Sequence, residues 1–201
     1  TYCYDGKKTI IKSLLNTEGY YVISKPYDKY GRNALHTNEI DTFYINLMFF
    51  DDGMFVDNFL DCNTGRAMKN ELNIQLYFKE IAEDKKAAFY QSFNWGHYII
   101  SGDTIKVQFL NHPMPPPPTW TAFEIWYKVI DRNTIIEIDS KPIHYMSKSD
   151  WSNYDSYKKE KKIYPAKFIH LGVLPSSDCW LKKEEWFWCD KELYKAWKKK
   201  N

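Results

Sequence analysis

Four β-rich segments lie between residues 95 and 140, at 95–100, 104–110, 123–129 and 134–139. Short turns join the first two and the last two, a proline loop joins the middle two, and apolar and polar residues alternate along 104–110 and 123–129. Alternation places successive side chains on opposite faces of a β-strand, and short turns join antiparallel neighbours. A meander with one apolar face must curl over a core or close on itself. We therefore expect an all-β-dominated chain whose antiparallel meander forms a barrel or strongly curled sheet.

The remaining segments extend this pattern. Residues 19–25 predict a strand that stops at Pro26, and residues 40–50 and 54–60 predict a hairpin around Asp51-Asp52-Gly53. Further strands are expected at 72–78 and 165–174. Residues 79–91 have one weak apolar stripe and predict either a short surface helix or a long connection.

Peripheral elements complete a single domain over residues 1–201. Residues 1–18 form a lead-in with helix-like spacing at 7–16, and 143–164 is an irregular, polar insertion. At the other end, Asp190 is the expected N-cap of a C-terminal helix over 190–200. Leu193 and Trp197 lie one turn apart, which predicts that both pack on the outside of the sheet.

Aromatic residues make up 18% of the chain, with 16 Tyr, 12 Phe and 8 Trp. Such rings fill wide barrels, and they also line ligand pockets. Nine residues of the alternating segments are the candidates for lining a cavity: Phe43, Ile45, Leu47, Ile105, Val107, Phe109, Phe123, Ile125 and Tyr127. The same residues would fill a solid core. A void of some hundreds of Å³ would distinguish the two.

No catalytic motif is present. The chain has no GxSxG elbow, no glycine-rich phosphate loop and no HExxH pair. Five scattered histidines (His36, His97, His112, His144 and His170) favour no metal site, and the turn itself explains Asp51 and Asp52. We expect a non-catalytic protein without cofactor or metal.

Charge and hydropathy exclude further classes. The net charge of +2 gives no reason to expect a nucleic-acid partner. Lysine runs at 158–162 and 195–200 are expected to be solvated surface. No apolar run is long enough to span a bilayer. The chain starts at Thr1 without Met, and we expect a trimmed form, compatible with a removed export signal.

The four cysteines are Cys3, Cys62, Cys179 and Cys189. Without a CxxC pair they do not form a zinc site. A local bridge between Cys179 and Cys189, ten positions apart, and four buried free thiols are equally compatible with the sequence.

Two further features have more than one explanation. Residues 112–118 contain four consecutive prolines, which either stiffen a hairpin loop or form a docking epitope; we favour the loop. Trp126 falls on the mixed face of its strand, where a covering helix is the expected partner. Exposed recognition rings would include Trp120, Trp151 and the segment Trp186–Trp188.

The order GYY, FYINLMFFDDGMFVDNF, WGHYIISGDTIKVQF and EIWYKVIDRNTIIEI resembles small lipocalin-like (calycin-type) domains of bacterial exported lipoproteins. The tail CWLKKEEWFWCDKELYKAWKKK is similar to the tryptophan-rich ends of uncharacterised members. Gly19-Tyr20-Tyr21 stands where lipocalins usually carry Gly-x-Trp. The resemblance implies an exported, lipid-anchored protein at the periplasm or cell surface, and it carries no catalytic residues to transfer. We expect a monomer.

Two functions follow as expectations. The first is binding of a small apolar or amphipathic ligand inside the barrel. The second is a surface module with a solid core that recognises a protein or glycan through exposed rings.

Overall fold

The fold was analysed in a computed structural model. The structure describes residues 3–6, 14–28, 40–57, 71–84, 88–92, 94–114, 119–143 and 162–200. The irregular insertion at 144–161, the prolines at 115–118 and most of the segment 7–16 lie outside these residues.

Eight antiparallel strands form a closed barrel, which confirms the predicted fold class. Each strand pairs with the next along the chain, and the first pairs with the last. The strands are β1 (Gly19–Asp28), β2 (Ile40–Phe49), β3 (Met54–Asp57), β4 (Trp95–Ser101), β5 (Thr104–Met114), β6 (Thr119–Asp131), β7 (Thr134–Pro142) and β8 (Pro165–His170).

Short turns at one end of the barrel follow from local chemistry. Gly53 and Gly102 have φ values of 87° and 62°, which a side chain would disfavour. At the β6–β7 turn, the Asp131 carboxylate accepts a hydrogen bond from the backbone N–H of Asn133 at 2.7 Å. These local preferences fix three of the antiparallel connections.

The first strand differs from the expectation at Pro26. β1 runs through Pro26 and pairs with β2 as far as Asp28. Its pairing with β8 ends at Ile23, so Pro26 has a neighbouring strand on one side only. A proline cannot donate a ladder hydrogen bond, and strand prolines are tolerated where one side of the strand is unpaired.

Closure depends on a close approach of β1 to β8. A Cβ added at Gly19 would lie 2.1 Å from the Ile169 carbonyl oxygen, which is too close for any side chain. Glycine at this position therefore allows the last strand to pair with the first.

Two hydrophobic cores result from the alternation. The inner core fills the barrel and includes Tyr21, Leu47, Phe49 and Tyr127. The outer core lies between the outward face of the barrel, two helices and the C-terminal segment. Both faces of β2–β4 are therefore apolar, as expected for strands covered on each side.

The strand expected at 72–78 is wrong, because this segment belongs to helix α1 (Glu71–Glu83). Ile74, Phe78 and Ile81 are buried in the outer core at helical spacing, and Leu76 is 52% exposed. A second short helix, α2 (Ala88–Gln91), follows, and the Trp95 indole N–H donates to the Phe89 carbonyl at 2.8 Å. The helix predicted as one alternative for residues 79–91 is thus correct in part, because these residues include the end of α1 and the whole of α2.

The C-terminal helix α3 (Lys191–Lys198) is confirmed, with Asp190 as its N-cap. The Asp190 carboxylate accepts the Glu192 N–H at 2.7 Å. The expected packing of Leu193 is wrong, since this side chain is 38% exposed. Trp197 is partly buried and packs against the outer core, with its ring centroid 5.8 Å from that of Trp188.

The cysteine pairing differs from both expectations. Cys3 forms a disulfide with Cys189, and Cys179 is a buried free thiol. Burial raises the pKa of Cys179 to about 12, so its thiol is protonated and unreactive at neutral pH. Tyr4 also forms a parallel β-bridge with Trp188. The disulfide and this bridge join the two ends of the chain on the outside of the barrel.

Among the described residues, no helix is both apolar enough and long enough to cross a lipid bilayer.

Candidate ligand-binding site

The predicted cavity-facing residues lie on the inner face of the barrel wherever their side chains are described. Leu47, Ile105, Val107, Phe109 and Tyr127 are buried in the inner core, and Ile45, Phe123 and Ile125 pack against it half-buried. Phe43 of β2 pairs with Lys25 of β1, and the side chain of Phe43 lies outside the described residues.

The lead-in closes the end of the barrel that carries the short turns. Leu15 is 1% exposed and belongs to the inner core. The Tyr21 hydroxyl donates to the Arg132 carbonyl at 2.6 Å and accepts the Asn16 backbone N–H at 3.0 Å. Burial raises the pKa of Tyr21 to about 12, so the hydroxyl keeps the proton that it donates.

Aromatic rings pack the middle of the barrel. Phe49 lies 4.9 Å from Phe55 and 5.2 Å from Tyr98, measured between ring centroids. The Tyr98 hydroxyl donates to the Phe50 carbonyl at 2.8 Å, so this polar atom is satisfied inside an apolar core. The rings form a floor across the barrel.

The barrel interior on the side of this floor away from the short turns is here called the upper half. Its walls include Ile45, Phe109, Phe123, Ile125 and Tyr164. Phe109 and Phe123 stack with centroids 6.1 Å apart. Ile45, Phe123, Ile125 and Tyr164 are only partly buried, whereas Tyr21, Phe49 and Phe55 in the floor are fully buried. Apolar side chains in the upper half therefore have surface that a ligand can cover.

Polar groups adjoin this apolar surface. Strand register pairs Asp57 with Leu47 and Glu137 with Tyr127, which places both carboxylates on the inner face. The pKa of Tyr127 is raised well above its usual value by burial and then by the charges of Asp57 and Glu137. Its hydroxyl remains protonated, and its ring packs edge-on against Phe49 of the floor, with centroids 6.4 Å apart, so the inner face combines apolar walls with hydrogen-bonding groups.

A polar cluster on the outer face was not predicted from the sequence. Glu124 is 4% exposed and accepts hydrogen bonds from Gln108 at 2.6 Å, from Trp126 at 2.7 Å and from Lys141 at 3.0 Å. Burial alone would raise the pKa of Glu124, but these partners more than offset it and lower the pKa. Alternation places Glu124 on the outer face, but it carries no signal that this carboxylate is buried.

Lysines lie over Trp126 where a covering helix was expected. The Lys106 ammonium is 4.2 Å from the centroid of the Trp126 ring, and the Lys141 ammonium is 5.5 Å from it. Among the described residues, these two contacts join the Trp126 ring to lysines of the neighbouring strands β5 and β7 and to no helix. The ring is held by cation–π contacts on a partly exposed face.

Residues 177–189, here called the C-terminal strap, are held to the barrel by a buried charge. Lys182 is 3% exposed, and its ammonium lies 2.7 Å from the Asp52 carboxylate and 2.8 Å from the Ser177 hydroxyl. A serine beside a lysine can form a nucleophile–base pair, which requires a neutral amine. Here the Lys182 ammonium is paired with the Asp52 carboxylate of the β2–β3 turn, so the cluster anchors the strap to the barrel.

Asp52 also has the turn role that the sequence predicted. Its carboxylate accepts the backbone N–H of Met54 at 3.2 Å. The contact with Lys182 spans 130 positions of sequence, and no local pattern signals it.

Of the described aromatic and imidazole candidates, Trp186 and His97 line one concavity on the outside of the barrel. Trp186 is 62% exposed and Trp188 is 9% exposed, so the segment Trp186–Trp188 presents one exposed indole. Trp151 and the side chain of Trp120 lie outside the described residues. His97 is buried on the outer face and His170 is exposed at the end of β8.

The described part of the chain contains no group of histidine, cysteine and acidic residues that could hold a metal ion. His36, His144 and the side chain of His112 lie outside the described residues.

Neither a protein-family model, nor a curated protein, nor a solved structure matches the chain.

Proposed function

We propose that this protein is a non-catalytic barrel that binds a small amphipathic ligand in the upper half of its interior. The observation that carries the proposal is the contrast between the two halves. One end is closed by Leu15 and a fully buried floor of rings, while Ile45, Phe123 and Ile125 above that floor keep solvent-exposed surface. Covering this apolar surface would supply the binding free energy.

Polar groups on the inner face of the barrel support an amphipathic ligand over a pure hydrocarbon. The Tyr127 hydroxyl, Asp57 and Glu137 lie on the same inner face as the apolar walls. A few placed polar groups within an apolar wall fix the orientation of a ligand.

The test uses two isoleucine-to-tryptophan variants in the same strand. Ile125→Trp fills the upper half, whereas Ile130→Trp adds the same ring at a position that is 54% exposed. Binding of the neutral fluorescent amphiphile N-phenyl-1-naphthylamine is titrated with excitation outside the tryptophan band. We expect Ile125→Trp to weaken binding at least about tenfold, and Ile130→Trp to leave it unchanged, with similar thermal midpoints.

Equal binding by both variants would show that the probe binds elsewhere. No saturable binding by the wild-type protein would refute an accessible interior.

We also propose that the protein is an exported, lipocalin-like lipoprotein. The disulfide between Cys3 and Cys189 supports an oxidising compartment, since thiols remain reduced in the cytosol. Alkylation of unreduced protein purified from the native compartment should leave these two cysteines unmodified. Full alkylation of both would contradict export.

Recognition of a glycan or protein through exposed rings is our second proposal for the function. A single observation favours it, the 62% exposure of Trp186. It predicts that Trp186→Ala abolishes binding to a glycan array without changing the binding of N-phenyl-1-naphthylamine. A wild-type protein that binds no array member would leave the glycan form of this proposal without support.

A further inference from the structure

A second concave site lies on the outside of the barrel, between β4–β6 and the strap. Its walls include Leu110 and Ala122 of the barrel and Leu181 and Trp186 of the strap, and its volume is about 90 Å³. The exposed Trp186 ring forms one wall. The site faces outward, because Leu110 and Ala122 lie in the outward-facing register of β5 and β6, and it adjoins the barrel interior only at Phe109 among the described lining residues.

The size of this outer pocket limits its ligand. A dry apolar cavity of about 150 Å³ accepts one benzene molecule. The outer pocket has about three-fifths of that volume, which is room for about four carbon atoms. This favours a branched aliphatic group over an aromatic ring.

The chemistry of the walls limits the ligand further. Among the described residues that line the outer pocket there is no Lys, Arg, Asp or Glu. Its polar side chains are His97 and Gln108, which are 6% and 7% exposed. The Gln108 amide N–H₂ donates to Glu124 at 2.6 Å, which holds this side chain in place. A charged ligand would lose its hydration without gaining a counter-charge, so the pocket suits a neutral ligand with one hydrogen-bonding group.

The pocket is preformed because the strap residues that form its outer wall are held in place by contacts with the rest of the protein. Phe187 packs edge-on against His97 with centroids 5.6 Å apart, and its carbonyl accepts the Tyr4 N–H at 2.9 Å. Lys182 and the disulfide at Cys189 hold both ends of this wall. Binding there requires little ordering of the strap.

We propose that the outer pocket binds a small neutral molecule with a branched aliphatic end and one hydroxyl group. The aliphatic end fills the space between Ala122 and Leu181, and the hydroxyl lies near His97 or Gln108.

The test is an NMR titration with 3-methylbutan-1-ol, with the methyl groups of Leu110 and Leu181 as reporters. We expect saturable shifts of both, with a dissociation constant on the order of 1–10 mM. The ammonium and carboxylate analogues, 3-methylbutan-1-amine and 3-methylbutanoate, should bind at least about tenfold more weakly because the walls are uncharged. 2-Phenylethanol, with the same hydroxyl but a larger end, should also bind more weakly.

Two alanine-to-isoleucine variants provide the control. Ala122→Ile fills the outer pocket and should abolish the titration, whereas Ala88→Ile, at an exposed position of α2, should not change it. Ile125→Trp should leave the titration intact, which separates this site from the barrel interior. Absence of saturable shifts, equal affinity for the charged analogues, or unchanged binding by Ala122→Ile would each overturn the proposal.

Discussion

Lys182 and Asp52 form an ion pair in which the ammonium is more deeply buried than the carboxylate. We therefore predict that replacing Asp52 destabilises the protein more than replacing Lys182. Lys182 has a side chain that is 4% exposed, whereas the Asp52 side chain is 24% exposed. Replacing Asp52 by Asn leaves a buried cation without its closest counter-charge. Replacing Lys182 by Met leaves a carboxylate that water, Ser177 and the Met54 N–H can still solvate.

The magnitudes follow from the geometry. Removing one partner of a buried pair lowers the free energy of unfolding by about 3–5 kcal/mol. Asp178 remains 3.3 Å from the Lys182 ammonium and is 49% exposed, so part of the compensation survives. We expect Asp52→Asn to lower the free energy of unfolding by about 2–3 kcal/mol, and Lys182→Met to lower it by about 1 kcal/mol.

Urea denaturation at pH 7 measures the difference, and the m value should stay unchanged. Asp103→Asn is the matched control, because the pair of Asp103 and Lys128 is 3.7 Å apart and exposed on both sides. This control should change the free energy of unfolding by less than about 0.5 kcal/mol. The double variant of Asp52 and Lys182 should be more stable than Asp52→Asn alone. If Lys182→Met destabilises as much as Asp52→Asn, the asymmetric burial of the pair does not govern its energetics.

Three further predictions concern the disulfide and two titrating groups. Replacing Cys3 and Cys189 by Ser should lower the free energy of unfolding by about 2–5 kcal/mol, and dithiothreitol should then have no further effect on the melting temperature. The pKa of Tyr21 is about 12 in the folded chain and lower when unfolded, so the unfolded state loses its proton first and stability falls as pH rises from about 10 to 12. Tyr21→Phe should reduce this alkaline slope in urea titrations, and an unchanged slope would assign it to other groups. The pKa of Glu124 is lowered by its partners, so its contribution is present at neutral pH and lost as pH falls through the folded pKa. Glu124→Gln should therefore destabilise the protein at pH 7, and its effect should shrink progressively as the pH is lowered, which urea titrations at several pH values measure.

Local patterns were sufficient for the strands of the 95–140 meander and for the residues that face the interior. The side-chain period of a strand is two, so alternation assigns faces without knowledge of the partner strand. Ile105, Val107 and Tyr127 are on the inner face for this reason. Turn glycines and the N-cap at Asp190 likewise depend only on neighbours within a few residues.

Helix α1 shows where local patterns are ambiguous. Leu72, Ile74, Leu76 and Phe78 alternate with polar residues as a strand would, while Ile74, Phe78 and Ile81 have helical spacing. Only packing distinguishes the two, since the outer core buries Phe78 and Ile81 and leaves Leu76 exposed. The sequence could not show that the outward face of the barrel offers a surface for this helix.

The amino-acid sequence by itself thus determined the strand order, the turn positions and the inward faces, because each follows from interactions between near neighbours. The tertiary structure decided barrel closure, the pairing of Cys3 with Cys189, the ion pair of Asp52 with Lys182 and the outer pocket. These features join residues up to 186 positions apart. Such contacts form only where folding brings distant segments together, and their chemistry depends on burial that no short segment can specify.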